Sequence, residues 1–168
     1  PYGYSQTTEF LNSVAAVIGQ PVKEAMLQRL EEKNRRLKML LNSPLLSRTP
    51  GTVFLKGDYD TVKGLGAFFK ELKFNVAHSV CTHKITGTAA EGMEYFKEEK
   101  EYLQLLPAIR HCLILADEDT IAKTDATNLK ICVSHPCFSH RTIAKHLPFM
   151  GERGADMLFE YIQQYVNM

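Results

Sequence analysis

The chain has 168 residues, of which 45% are hydrophobic and 23% are charged, a composition typical of a globular domain with a buried core. Twenty Lys and Arg residues nearly balance nineteen Asp and Glu residues, which leaves a formal net charge of +1. This balance argues against a basic surface for nucleic acid or anionic membranes. No apolar run has the roughly 20 residues needed to span a bilayer.

The N-terminus and the cysteines indicate a cytoplasmic protein. PYGYSQTTEF has neither the basic start nor the apolar centre of a signal peptide. The chain opens on Pro1 rather than on Met, so we expect it to be a segment of a longer polypeptide. We interpret the four cysteines as reduced thiols, because an α/β chain of this size does not need disulfides.

Two helices are predicted in the first 50 residues. Over residues 7–19, apolar side chains recur at three- and four-residue spacing, which predicts a helix with a threonine cap and a glycine end. The side chains expected to be buried there are Phe10, Leu11, Val14, Val17 and Ile18. A second amphipathic helix is predicted over residues 21–41. The segment 43–51 contains two prolines and a glycine, which is typical of a linker.

After the linker, strands and helices alternate. Short apolar runs predict strands at 52–56, 73–78, 111–116 and 129–134. Helices are predicted at 61–72, over most of 88–108, at 139–146 and at 152–166. Such alternation predicts βαβ units and a parallel sheet. We therefore predict an α/β fold: a Rossmann-like parallel sheet of about four strands flanked by helices, with an N-terminal helical pair. Residues 1–50 would form a helical lead-in and residues 51–168 the Rossmann-like domain.

Ligands of open parallel sheets bind beyond the carboxyl ends of the strands. Four loops follow the predicted strands, and they cover residues 57–60, 79–84, 117–119 and 134–139. If the strand assignments hold, Cys81 and His83 from one loop converge with His135 and Cys137 from another. This edge of the sheet is the predicted binding site.

The segment ICVSHPCFSH contains four soft metal ligands, namely Cys132, His135, Cys137 and His140. A zinc site within this segment is disfavoured, because tetrahedral sites normally use two ligand pairs separated by a longer loop. Cys132 would also point into a packed layer as a small core residue. We favour the interpretation that Cys132 is such a core residue and that His135 is an ordinary loop residue. The alternative is a site shared between loops, in which His135, Cys137, Cys81 or His83 faces a ligand or cluster.

Other chemical signals in the sequence are weaker. No dinucleotide fingerprint, P-loop, H-E-x-x-H or G-x-S-x-G motif occurs. Asp58 and Asp60 in the GDYD loop are a possible acid/base pair, although we favour Asp60 as a helix cap. Glu118 and Asp119 are expected to form a solvated turn.

Four segments in this order resemble the nitrogenase component 1-type oxidoreductases. PYGYSQTTEFLNSVAAVIGQPV is similar to a helix-entering segment of that family, and RLEEKNRRLKMLLNS to the charged helix that follows it. GTVFLKGDYDTVKGLGAFFKELKFNV resembles a strand-loop-helix of the family. FMGERGADMLFEYI resembles the glycine-containing helix near its C-terminus.

The resemblance implies that this chain is the C-terminal domain of a nitrogenase-like or protochlorophyllide reductase-like subunit. Full-length members contain several Rossmann-like domains, pair with a homologous subunit and receive electrons from an ATP-dependent iron–sulfur reductase. The parent would carry an iron–sulfur or molybdenum–iron type cluster. Cysteines that hold the bridging cluster in the family have no counterpart here. We therefore expect the isolated chain to bind no cofactor and to be inactive, and we expect no nucleic-acid or membrane partner.

The resemblance also suggests residues that face the cofactor. In nitrogenase a histidine shortly before the C-terminal helix ligates the cofactor, and His146 is the nearest residue by position. The expected cofactor-facing set combines the loop residues of the sheet edge with those of the last loop: Asp58, Cys81, His83, His135, Cys137 and Ser139. The alternative is a free-standing flavodoxin-like module that binds a small anionic or phosphorylated ligand at the same edge, where helix N-termini supply amide donors.

Overall fold

The computed structural model describes residues 1–43, 51–87, 91–134 and 149–166. Its elements are α1 (Gly3–Ile18), α2 (Glu24–Leu41), β1 (Thr52–Gly57), α3 (Tyr59–Glu71), β2 (Asn75–Cys81), α4 (Glu99–Leu105), β3 (Leu113–Ala116), α5 (Glu118–Ala122), β4 (Leu129–Cys132) and α6 (Gly151–Val166). They form two compact units. One contains α1, α2 and α6, and the other contains the four strands with α3, α4 and α5.

The α/β unit is built on one parallel sheet in the order β2-β1-β3-β4. Every recorded strand pair is parallel, which confirms the predicted fold class. The strands are short and apolar because both faces are covered, and the side chains of β3 are all fully buried. The chain crosses from β2 over β1 to reach β3, so the topological switch point lies between β1 and β3.

Each face of the sheet is covered by its own helix. On one face, α3 buries Val62, Leu65, Phe68 and Phe69, as the sequence predicts. The other face carries a cluster around Phe54, Ile114 and Tyr102, the last contributed by α4. Gly66 of α3 approaches the sheet closely, since a Cβ built there would lie 3.5 Å from Leu55 Cδ1. This contact agrees with the close helix–sheet packing expected of that glycine.

The helical unit is held together at the start of α6. The Gly151 amide, where φ is +69°, donates to the Pro1 carbonyl at 2.8 Å. The Tyr4 hydroxyl donates to Asp156 Oδ1 at 2.6 Å, and Lys33 donates to Asp156 Oδ2 at the same distance. Helix α6 therefore packs with α1 and α2, whereas the sequence analysis grouped this last helix with the Rossmann-like domain. Among the described residues, no helix has the length and apolar character needed to cross a bilayer.

Several predicted boundaries were wrong. Strand β2 extends to Cys81, so residues 79–81 belong to a strand rather than to a loop. Within 91–108, the described part of the predicted long helix, only Glu99–Leu105 is α-helical. Residues 91–98 are not helical, because Glu94 pairs with the edge of β2: its amide donates to Ser79 O at 2.7 Å and its carbonyl accepts from the Cys81 amide at 2.8 Å. The predicted helix at 139–146 lies outside the described residues.

The buried face of α1 also differs from the prediction. Its buried residues are Gly3, Tyr4 and Thr7, in the first two turns. Four of the five apolar residues expected to be buried are exposed instead: Phe10, Val14, Val17 and Ile18. Periodicity identifies a face that is apolar, but it does not say which part of the helix packs against neighbours.

Candidate functional site

The candidate site is the rim formed by the carboxyl ends of the four strands. Gly57 at the end of β1 is aligned with Cys81 at the end of β2. On the other side of β1, Ala116 of β3 is aligned with Cys132 of β4. The chain segments that leave these strands therefore emerge at one edge of the sheet, as the sequence predicts.

Asp58 and Thr82 join the first two of these segments. Thr82 donates through its amide to Gly57 O at 3.0 Å and through Oγ1 to Asp58 Oδ1 at 3.0 Å. Asp58 occupies the N-cap position of α3, but its carboxylate makes no capping hydrogen bond. Asp60, favoured from the sequence as the cap, lies instead in the first turn of α3. The exposed Asp58 carboxylate is thus fixed at the rim by Thr82.

Ser134 brings the segment after β4 to the same place. Its hydroxyl donates to the Lys56 carbonyl at 3.2 Å, and the Val133 amide donates to Ala116 O at 2.9 Å. A Cβ built on Gly57 would lie 3.3 Å from Ser134 Cβ. Glycine at the end of β1 therefore lets the fourth segment approach the first across the switch point.

A charged pair lies near the carboxyl ends of β1 and β3. Lys56, near the end of β1, donates to Asp117 Oδ2 at 2.8 Å and to Thr120 Oγ1 at 2.9 Å. Asp117 follows β3 and caps α5, since its Oδ1 accepts from the Thr120 amide at 2.8 Å. The Thr120 hydroxyl also donates to Asp117 Oδ2 and accepts from the Tyr102 hydroxyl. The Lys56 ammonium lies 4.6 Å from the centroid of the Tyr102 ring.

The environment of this network sets its charge. Burial alone would raise the pKa of the Asp117 carboxyl, but hydrogen bonds from Lys56 and Thr120 and the Lys56 charge outweigh it, so the pKa lies below its usual value. Burial raises the pKa of the Tyr102 phenol, which stays protonated. At neutral pH the network is therefore an ion pair whose polar atoms are bonded to one another, and a buried ion pair requires such satisfaction.

The described sequence-predicted ligands form no metal-binding group with one another. Burial, and to a smaller extent the Asp58 carboxylate, raises the pKa of the Cys81 thiol, so this cysteine is protonated at neutral pH when no metal is bound. His83 is exposed, two residues further along. No group of three or more His, Cys, Asp or Glu side chains with metal-binding geometry occurs within the described ranges. We therefore derive no step of a reaction through a cluster on these residues.

The other predicted site residues are His135, Cys137, Ser139 and His146, and they lie outside the described residues. So does His140 of the local zinc hypothesis. Cys132 ends β4 and is half-buried, and its thiol donates to Ser134 O at 3.5 Å. The structure thus brings together Asp58 and Cys81 at one rim, with Thr82 and Ser134 beside them.

The ion pair formed by Lys56 and Asp117 is not among the site residues predicted from the sequence. Two signals were available: Lys56 is the one charged residue in the apolar run of β1, and Asp117 precedes Thr120 at the spacing of a helix cap. The sequence prediction for the neighbouring Glu118 and Asp119 was instead a solvated turn.

Comparison with known sequences finds no protein-family model and no curated protein that matches this chain.

Proposed function

We propose that this chain is the C-terminal domain of a nitrogenase-like oxidoreductase subunit. In this proposal the carboxyl rim of its sheet forms one wall of a pocket for a metal cluster or a tetrapyrrole-type molecule, and the domain packs against a partner subunit. A protein domain of this kind supplies shape, hydrogen bonds and electrostatics, while the cofactor carries the chemistry. We expect the chain alone to be inactive.

The observation that carries the proposal is the position of the resembling segments in the fold. The GDYD segment lies at the carboxyl end of β1, beside the switch point where α/β sheets bind ligands. The first and last resembling segments meet in the helical unit, where the Gly151 amide donates to Pro1 O. Two of the four individually unspecific motifs thus contact each other within the helical unit.

The structure explains why the second glycine of the GERGA segment, Gly154, is a glycine. A Cβ built on Gly154 would lie 2.0 Å from the Phe149 carbonyl carbon and 2.2 Å from its oxygen. Any side chain would therefore push the chain away from the first turn of α6. Gly151 needs its glycine for a different reason, because its φ of +69° is unfavourable for residues with a Cβ.

The described rim residues indicate how the wall would act. Asp58 offers a carboxylate that can accept hydrogen bonds, and Thr82 and Ser134 supply hydroxyl groups nearby. Lys56 is neutralised by Asp117 and therefore supplies no free positive charge to the rim. The described part of the rim thus suits contact with hydrogen-bond donors of an organic molecule, and direct ligation of a cluster would fall to residues beyond the described ranges.

Purification of the native protein tests the proposal. An antibody raised against this chain would isolate the parent protein from its source under anaerobic conditions. We expect a polypeptide longer than 168 residues that co-purifies with a homologous subunit and contains iron and acid-labile sulfide. An iron-free polypeptide no longer than this chain, without a partner subunit, would rule the proposal out.

One observation favours the second candidate, a flavodoxin-like binding module. The strand order β2-β1-β3-β4 is the order found in flavodoxin-like sheets, whose ligands bind at the β1/β3 switch point. The exposed Asp58 carboxylate at that point disfavours a phosphate group, because Thr82, its hydrogen-bond partner, does not neutralise its negative charge. A rise of several degrees in Tm with FMN or a nucleotide would support this candidate over the first.

A further inference from the structure

A groove runs along α3 on the side of the α/β unit, separate from the rim. It has a volume of about 320 Å³, and its walls are α3, Ser79 of β2 and the segment 91–93. The second wall is held in place by the Glu94 backbone, which pairs with Ser79 and Cys81 on the edge of β2. The groove is therefore a feature of ordered backbone rather than a gap between loose side chains.

The sequence of α3 explains why the groove exists. Gly66 and Ala67 lie on the groove side of the helix, between Lys63 and Lys70. The Cβ position of Gly66 faces Leu55 of the sheet, and the exposed Ala67 keeps side-chain volume small in the middle of the groove, with a lysine on either side of that space. Seven residues along a helix separate the two lysines by roughly 10 Å along its axis.

Three charged residues line the groove, namely Lys63, Lys70 and Glu91. The Lys63 ammonium donates to the Tyr59 hydroxyl at 2.8 Å, and Asp60 lies close enough to favour its charged form. Within the described residues, Lys70 makes no ion pair. Glu91 contributes one negative charge on the opposite wall. Apolar contact in the groove comes from Ala67 and Met93.

We propose that this groove binds an elongated small molecule with an anionic group at each end and an apolar middle. One anionic group would pair with Lys63 and the other with Lys70. The apolar middle would lie over Gly66 and Ala67, where the absence of large side chains leaves room for methylene groups. Glu91 would disfavour ligands that carry a negative charge between their ends. A linear alkane dicarboxylate has this chemistry, and this site is independent of the function proposed for the rim.

Isothermal titration calorimetry with azelate, a linear nine-carbon dicarboxylate, tests the proposal. We expect binding by the wild-type chain, and Lys63→Gln and Lys70→Gln should each weaken it by about tenfold, which corresponds to about 1.4 kcal/mol. Nonanoate has the same chain length but one carboxylate, and it should bind about tenfold more weakly than azelate. Lys100→Gln is the charge control, because Lys100 is exposed on α4 outside the groove.

A steric variant gives a test that leaves all charges unchanged. Ala67→Leu should fill the groove and abolish azelate binding, and it should fold normally because Ala67 is exposed on a helix. Ala16→Leu on exposed α1 is the matched control and should bind as the wild type does. The proposal is overturned if azelate gives no binding heat, if Ala67→Leu binds normally, or if Lys100→Gln weakens binding as much as Lys70→Gln.

Discussion

Lys56 Nζ and Asp117 Oδ2 lie 2.8 Å apart and connect β1 to the segment after β3 across the switch point of the sheet. Asp117 is almost fully buried, with 2% of its surface exposed, and it also caps α5. This one carboxylate therefore neutralises a lysine and satisfies the amide and hydroxyl of Thr120. Its loss would leave the amide and hydroxyl of Thr120 without this acceptor and the Lys56 ammonium without its negative partner.

Asp117→Ala should lower the free energy of unfolding by about 3 kcal/mol, because removing one partner of a buried pair leaves the other uncompensated. Urea unfolding followed by circular dichroism measures this difference. Asp119→Ala is the control: Asp119 forms an exposed ion pair with Lys123, and its loss should cost less than about 0.5 kcal/mol. Equal costs for the two variants would contradict the role assigned to Asp117.

The same carboxylate should make stability depend on pH in the acid range. Its pKa is lower in the folded chain than in the unfolded chain, where it is about 3.9. The stabilisation is therefore fully present above the unfolded pKa and is lost as the pH falls through the folded pKa.

The difference in urea midpoint between the wild type and Asp117→Asn should be largest near roughly pH 6 and should shrink towards roughly pH 2. Comparison with Asp117→Asn cancels the contribution of the other carboxylates. A difference that stays constant over this range would show that Asp117 is not ionised with a lowered pKa in the folded protein.

Gly154→Ala should destabilise the helical unit by about 2 kcal/mol, because its Cβ would collide with the Phe149 carbonyl and displace the first turn of α6. The matched control is Gly66→Ala in α3, where the new Cβ would make ordinary contact with Leu55. There the better helix propensity of alanine should leave stability unchanged or raise it by up to about 1 kcal/mol. Thermal unfolding of both variants compares the two glycines directly.

Much of the fold follows from local patterns in the sequence. The apolar runs of β1 and β3 and the periodicity of α3 predict a covered parallel sheet. Strands that are buried on both faces are apolar throughout, and a helix that packs on a sheet is apolar along one face. The segment 91–98 was mispredicted, because its conformation depends on a distant contact. Glu94 pairs with Ser79 and Cys81 of β2. The residues of the segment itself do not indicate this pairing, because its partners lie more than ten residues earlier in the chain.

The candidate site was predictable only in part. The rule for parallel sheets predicts that Asp58 and Cys81 lie at the same edge of the sheet, and the structure places them there. It does not give the state of each side chain. The sequence cannot show that Cys81 is covered or that Asp58 bonds Thr82 instead of capping its helix, since both depend on the register between β1 and β2.

The exposed second half of α1 gives a further prediction. Val17 is 87% exposed, so Val17→Ser should change the free energy of unfolding by less than about 0.5 kcal/mol. Leu30 of α2 is fully buried, and Leu30→Ala should cost about 3 kcal/mol through lost burial and the resulting cavity. Chemical denaturation of both variants makes the comparison. A cost for Val17→Ser close to that of Leu30→Ala would mean that this part of α1 is covered in the folded protein.

The reactivity of Cys81 tests whether it is available as a ligand. Its thiol is buried and its pKa is raised, so iodoacetamide should modify it only slowly in the folded chain and readily in denaturant. Among the three cysteines that the structure describes, half-buried Cys132 should be modified first, as peptide mapping by mass spectrometry would show. Asp58→Asn removes the nearby negative charge and should accelerate the reaction of Cys81 only modestly, because burial is the larger cause of the raised pKa. If native Cys81 instead reacted as fast as a free thiol in solution, its thiol would be accessible to solvent, which would contradict its burial at the end of β2.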